Sequence, residues 1–280
     1  MNLNKKGVTL QIISLFLVIL AWAQLTSAEI IMSQPNSVYN IGDNLNLSVS
    51  LMPSADASGF FLLKLSCEGN ENELYKTPES ISANQQKTIP ISLSLDKFVL
   101  TNLTGSCSIK ASYNNEEKQS QDFEISNGIN GFVETNSILF SPSEAVLISG
   151  IAKKKNGSPL VGFLEINVNE LNVKITSPVI NGKFAINFTI PENAAANTYN
   201  IEFFFYEKDK NSEIINQGSS SAPIRVRAIV KKMGIALNSD SVSPNSDLEY
   251  SVLLYDQAEN QVQDDSTVSL FSPSNSLFSK

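Results

Sequence analysis

The sequence predicts an all-β protein, with antiparallel β-sandwiches in series behind an N-terminal hydrophobic segment. Three observations predict it. Apolar residues recur with a period of two in segment after segment. Turn-forming clusters separate those segments at intervals of about ten residues. Two stretches far apart in the chain align without a gap at a constant offset of 102 residues.

The N-terminal segment comes first. In "MNLNKKGVTLQIISLFLVILAWAQLTSAEI", Lys5 and Lys6 form a positive head. Leu10 to Ala23 form an apolar run of 14 residues interrupted only by Gln11 and Ser14. Ala21 and Ala23 make one A-x-A site, and "TSA" ending at Ala28 makes another, so Ala23 and Ala28 are the candidate cleavage residues. A charged head, a short apolar body and small residues before a cut are the pattern of a secretory signal. The run is short of the ~20 apolar residues a spanning helix needs. An uncleaved anchor or a buried helix is the alternative.

Past Ala28 the chain alternates. "LNLSVSL" places Leu45, Leu47, Val49 and Leu51 on one face. "KFAINFTI" places Phe184, Ile186, Phe188 and Ile190 on one face, and "TYNIEFFFY" and "APIRVRAIV" keep the same period. Alternation of this kind builds strands with one buried and one wet face. The intervening "NIGDN", "CEGNEN", "KKNGSP", "INGK", "DKNSE" and "NQGSSS" are turn signals. After residue 28 no stretch keeps a 3.6-residue apolar period over three turns.

The internal alignment starts at Ser141 and Ser243. Pro142 falls on Pro244, Ile148 on Tyr250, Ala152 on Leu254, Leu160 on Val262, Ile166 on Val268 and Val168 on Leu270. The segment opening at Gln34 shares the same start. A repeat of about 100 residues suits a seven-stranded sandwich. The expected organisation is a signal segment over 1–28, sandwiches over 29–130 and 131–229, and an incomplete third unit over 230–280. With no strands left to cover it, that third unit reads as part of a longer chain; pairing of the half-domain with another chain, or disorder, is the alternative.

Composition narrows the function. The chain has 280 residues, a net charge of −8 and no histidine. An acidic chain lacks the basic footprint that duplex nucleic acid requires. Without imidazole there is no Ser-His-Asp or Cys-His nucleophile, and no metal site that depends on histidine. The one tryptophan, Trp22, lies in the leader. No cofactor, no catalytic residue and no metal ligand is expected. Asp256, Glu259, Asp264 and Asp265 could offer oxygen ligands, but they lack a calcium-loop pattern and read as a solvated turn. Lys153, Lys154 and Lys155 read as a solvated basic tip.

At "NGSPLVGFLEINV", "NGKFAINFTIPENAAANTYNIEFFF" and "LEYSVLLYDQAENQVQDDSTVSL" the chain resembles Ig-like repeats of prokaryotic surface proteins, and it is similar to macroglobulin-like β-sandwich domains. The matching elements are the Gly182-Lys183-Phe184 entry to a strand, the Ile190-Pro191 exit, and Tyr199-Asn200-Ile201 opening the next strand. The macroglobulin Cys-Gly-Glu-Gln thioester motif is absent. The resemblance implies tandem Ig-like modules on a secreted or envelope protein, acting as a stalk or an adhesive arm. It transfers no catalytic residue.

Two cysteines remain. Cys67 is in phase with Phe61, Leu63 and Leu65, and Cys107 with Ile109, Ala111 and Tyr113. Counted from Met32, these are the third and sixth strands, antiparallel neighbours in an Ig-like sheet. The end of one then meets the start of the other, within disulfide reach. Export would supply the oxidising compartment. The expectation is a structural disulfide; two buried thiols, or a redox or metal pair, are the alternatives.

Asn46, Asn102, Asn156 and Asn187 begin N-x-S/T sequons and are candidate glycan acceptors. An Asn- and Ser-rich chain also produces such triplets by chance. The functional expectation is a non-enzymatic scaffold outside the cell with an unknown protein or glycan as partner. It would reach the membrane only through its N-terminal segment or a C-terminal anchor. The competing expectations are a glycan-binding accessory module and the N-terminal part of a larger exported enzyme. For the glycan reading the aromatic candidates are Tyr39, Tyr75, Phe205 and Tyr206. In "IEFFFY", Phe204 and Tyr206 lie opposite in phase to Phe203 and Phe205, so one of these pairs faces outward.

Overall fold

The computed structural model describes residues 28–101, 103–241, 243, 246–271 and 277–279. The chain divides into two compact units, the first ending at Ser126 and the second beginning at Asn127.

The first unit opens with β1 (Ala28–Met32), β2 (Val38–Asn40), β3 (Asn44–Pro53), β4 (Ala57–Cys67) and β5 (Asn70–Ile81). It continues with β6 (Lys87–Ser94), a one-turn helix α1 (Lys97–Leu100), β7 (Gly105–Tyr113), β8 (Glu116–Gln119) and β9 (Phe123–Ser126). One sheet has the order β1-β3-β6. The other has the order β2-β9-β7-β4-β5, with β8 alongside β7. Every pair is antiparallel except β2 with β9.

The alternation read from the sequence points inward as expected. Leu45, Leu47, Val49 and Leu51 of β3 are buried, as are Phe61, Leu63, Leu65 and Cys67 of β4. Cys107, Ile109, Ala111 and Tyr113 of β7 complete that layer. The Tyr113 hydroxyl donates to the Ala57 carbonyl at 3.0 Å, deep in this core. Tyr113→Phe should therefore cost about 1 kcal/mol of unfolding free energy, read as a lower denaturation midpoint of the first unit. The strand count differs from the expectation: the cysteines lie on the fourth and seventh strands. The uncounted strand is β2, three residues long and too short to show a period.

The second unit repeats the plan. It comprises β10 (Ile129–Thr135), β11 (Leu139–Phe140), β12 (Ala145–Lys154), β13 (Gly162–Val168), β14 (Val173–Val179), β15 (Lys183–Thr189), β16 (Thr198–Lys208) and β17 (Ile214–Val226). Its sheets have the orders β10-β12-β15 and β11-β17-β16-β13-β14. In it β11 pairs in parallel with β17. Position for position, these are the strand orders of the first unit.

The agreement extends to single hydrogen bonds. Ahead of β3, the Asn40 N–H donates to the Asp43 carboxylate at 2.6 Å. Ahead of β12, the Ser141 N–H donates to the Glu144 carboxylate at 2.7 Å. The left-handed residue of each turn, Gly42 or Ser143, donates its N–H across the sheet end to Leu95 or Ile190, at 2.9 Å in both cases. Asn40 and Ser141 are 101 residues apart, and so are the partners of the parallel pair: Val38 with Glu124 answers to Leu139 with Arg225.

A further hairpin follows, β18 (Lys232–Leu237) with β19 (Tyr250–Tyr255), and β20 (Gln261–Val262) adds to β19. Its register, Met233 opposite Leu254, is that of Gly131 opposite Ala152 moved on by 102. Asn136 N–H to Leu147 O at 3.0 Å becomes Asn238 N–H to Glu249 O at 3.1 Å. Lys154 N–H to Ser158 O at 2.9 Å becomes Asp256 N–H to Asn260 O at 2.8 Å. The offset read from apolar spacing is thus also the offset of the backbone bonds. This hairpin leaves Met233, Ile235 and Leu237 of β18 about half exposed. Two short strands, β21 (Leu270–Phe271) and β22 (Leu277–Ser279), pair with each other. Gln257 fixes the hairpin turn to its own unit. Its side-chain amide donates to the Ala194 and Arg227 carbonyls and accepts the Ile229 N–H.

Candidate functional site

The face of a sheet turned away from the core is free to carry function. In the second unit that face belongs to the sheet centred on β16. Phe203 and Phe205 point into the core, with 1% and 0% of their surface exposed. Phe204 and Tyr206 therefore face outward. Tyr206 lies opposite Phe163 of β13 in register, and their rings stack at 5.4 Å between centroids. Phe204 stacks on Tyr206 at 5.5 Å, and the Lys208 ammonium stands 5.5 Å from the Tyr206 ring. Such stacked pairs stabilise by about 0.5–1.5 kcal/mol each, so part of the ladder's role is to hold the sheet.

Beside the ladder lies a shallow open groove of about 490 Å³ lined by Glu165, Asn167, Asn200, Glu202, Ser219 and Ser221. These come from β13, β16 and β17, whose outward positions alternate with buried Leu164, Ile166, Ile201 and Phe203. The Asn167 amide donates to Glu202 at 3.2 Å and to Asn169 at 3.0 Å, and Lys174 pairs with Glu165 at 3.0 Å. Rings beside amides, carboxylates and hydroxyls can stack on a flat apolar surface and hydrogen-bond its polar rim.

The expected site residues fall out as follows. Cys67 and Cys107 are joined in a disulfide. They are register partners at one end of the β4–β7 ladder, with Cα atoms 4.1 Å apart. Asn46 and Asn187 are exposed on the outward faces of β3 and β15. Asn46 accepts a hydrogen bond from the Ser92 hydroxyl at 2.8 Å. Asn156 is half-buried in a turn and accepts from the Ser158 N–H and hydroxyl at 2.8 and 2.7 Å. Asn102 and Ala23 lie outside the described residues. Ala28 is the first residue of β1, opposite Pro53.

Several expectations need correction. Tyr39 is buried, edge-on to Phe123 at 5.6 Å, and Phe205 is a core residue. Neither can meet a ligand from solvent. Tyr75 is half-buried against Phe61. Phe163, the exposed end of the ladder, carries no local signal that sets it apart. Asp256 is not solvated: it is 3% exposed, and its carboxylate accepts the Ala258 and Asn260 N–H groups at 2.8 Å each. Among the described residues no cluster of acidic or cysteine side chains could hold a metal ion. Lys154 also departs from a solvated tip, because its side chain is only 13% exposed and pairs with Glu207.

Four groups among the described residues have titration displaced by their surroundings. One is Lys110, raised by its hydrogen bond to Glu71. Hydrogen bonds from Lys110 and Lys64 hold the Glu71 carboxyl below its ordinary value. Burial pushes the Tyr113 phenol up, helped by the Glu79 charge, and burial pushes Tyr199 up, helped by Glu170. A phenol whose folded value is raised contributes stability fully below its unfolded value, about 10. That contribution is lost as pH rises through the folded value. The denaturation midpoints of both units should therefore fall above about pH 10, and Tyr113→Phe and Tyr199→Phe should each flatten the fall in their own unit.

No protein-family model matches the sequence, and no curated protein matches it. Among solved structures the chain is similar in part to the β-glucosidase of Listeria innocua. In its isofagomine complex the TM-score is 0.30 at 14% identity, covering 36% of this chain and 16% of that one. In its glucose complex the values are 0.29 and 13%, with the same coverage. This chain thus spans under a fifth of the enzymes it matches.

Proposed function

We propose that this chain is a non-enzymatic exported protein whose Ig-like sandwich modules, two complete and the opening of another, form a stalk or adhesive scaffold. The observation that carries the reading is the recurrence of one hydrogen-bonded plan at offsets of 101 and 102 residues. A fold that recurs with its turns and registers intact supports serial modules rather than one enzyme core. The Cys67–Cys107 disulfide supports export, because such bonds persist in oxidising compartments. Among the described residues no helix is long and apolar enough to cross a membrane.

The test is where the protein resides and how it begins. N-terminal sequencing of the native protein should start at Gln24 or Glu29, after Ala23 or Ala28. Protease added to intact cells should remove it. An unprocessed chain with reduced cysteines, protected inside the cell, would sink the proposal.

The ladder of Phe163, Phe204 and Tyr206 with its polar groove favours a second reading, in which this face binds a glycan or a protein. Replacing all three rings by alanine should abolish retention on a glycan array or on a partner surface while leaving the first unit's unfolding unchanged. Retention equal to the parent would count against it.

A further inference from the structure

The three lysines at the end of β12 behave differently from one another. Lys153 and Lys155 are exposed, whereas Lys154 turns inward. Its ammonium lies 3.5 Å from Oε2 of Glu207. The same oxygen accepts a hydrogen bond from Nδ2 of Asn216 at 2.6 Å. Asn216 is 0% exposed, and it lies opposite Glu207 in the β16–β17 ladder, beside a bulge. One carboxylate oxygen thus joins a primary amine to a buried carboxamide.

The backbone explains the meeting. Lys154 belongs to the sheet of β10, β12 and β15, and Asn216 to the sheet of β16 and β17. The short segment before β10 bridges the two sheets at this end. The Lys155 N–H donates to Gly128 O at 2.9 Å, and the Gln217 N–H donates to Asn127 O at 2.8 Å. Gly218 permits the close approach, since a Cβ there would lie 1.9 Å from the Ile129 carbonyl oxygen.

From this geometry we infer that Lys154, Glu207 and Asn216 form an autocatalytic cross-linking site that joins β12 to β17 through a side-chain amide bond. Glu207 takes a proton from the Lys154 ammonium and frees its amine. The amine attacks Cγ of Asn216, forming the Nζ–Cγ bond. The carboxylic acid of Glu207 returns the proton to Nδ2, the Cγ–Nδ2 bond breaks, and ammonia leaves. The ammonia takes up the second proton lost by the lysine nitrogen, so an ammonium and a carboxamide become an amide and an ammonium ion. Nothing is oxidised or reduced, and no co-reactant is needed. A plain ion pair buried at this depth adds little net stability, whereas a covalent link constrains the unfolded chain.

The link would give the second unit the kind of staple the first unit already has. Both cysteines of the chain lie in the first unit, so the second has no disulfide. The inference goes beyond the scaffold reading and does not depend on it.

Intact-mass spectrometry of the full chain tests it. After allowance for the disulfide and the processed N-terminus, the mass should be about 17 units below that of the sequence, the loss of one ammonia. Tryptic digestion should leave Lys154 uncleaved and joined to the peptide that holds Asn216. Lys154→Arg should restore the full mass, and Glu207→Gln should leave most of the chain unlinked. The parent protein at full mass, with the two peptides recovered separately, would overturn the proposal, and that readout does not require any variant to fold. A link formed undiminished in Glu207→Gln would overturn the role given to the carboxylate.

Discussion

Replacing Cys67 and Cys107 together by alanine should lower the unfolding free energy of the first unit by about 2–5 kcal/mol and leave the second unit unchanged. The bond closes a chain separation of 40 residues. Without it the unfolded first unit gains the conformations that the closure forbids. The sulfurs are also packed: Cys67 and Cys107 are 1% and 2% exposed, next to the Leu65–Ile109 pair on the same face of the sheet. Alanine therefore loses some burial as well, which puts the expected cost above the loop term alone. Differential scanning calorimetry would read it as a drop of about 4–8 °C per kcal/mol in one transition. A reducing agent should reproduce the drop in the parent and have no effect on the double variant. If the first transition stays in place in both experiments, the bond does not hold this sandwich together.

That bond shows what a sequence of this kind discloses. Its two ends were legible because each cysteine keeps phase with three apolar neighbours, and phase decides which face of a strand is buried. The same rule placed Leu45 to Leu51, Phe184 to Ile190, and Phe203 and Phe205 in the cores. The module offset was legible too, since buried positions must recur when a fold recurs. Phase does not say which strands become neighbours. Tyr39 directly precedes the turn signal "NIGDN" and resembles a loop residue, yet three residues of β2 pair in parallel with β9 and carry it into the core. Phe163 meets Tyr206 only through the β13–β16 register, across some forty residues of sequence. Lys154, Glu207 and Asn216 lie on three strands, and the middle lysine of a charged run gives no local sign of turning inward. Such sites depend on long-range pairing, which alternation leaves open.

The largest single-residue effect is expected in the second unit. Phe205→Ala should cost about 3–5 kcal/mol. Its ring is 0% exposed and lies 5.5 Å from that of Phe184. On its other side the ring rests against the backbone of Gly131, where an added Cβ would lie 2.2 Å from Cε2 of Phe205. A glycine on β10 thus makes room for a phenylalanine on β16. Gly131→Ala alone should cost about 1–3 kcal/mol, because the core has no slack to move the ring aside. The two positions should not add. In Gly131→Ala combined with Phe205→Leu, the smaller side chain leaves space for the new methyl group. The double variant should then be more stable than the sum of the singles requires, with a coupling of about 0.5–3 kcal/mol. Urea denaturation of the four proteins, followed through the second unit's transition, closes the cycle. Costs that add to within a few tenths of a kcal/mol would mean that Phe205 does not pack on Gly131, and that the two sheets are held apart by other side chains.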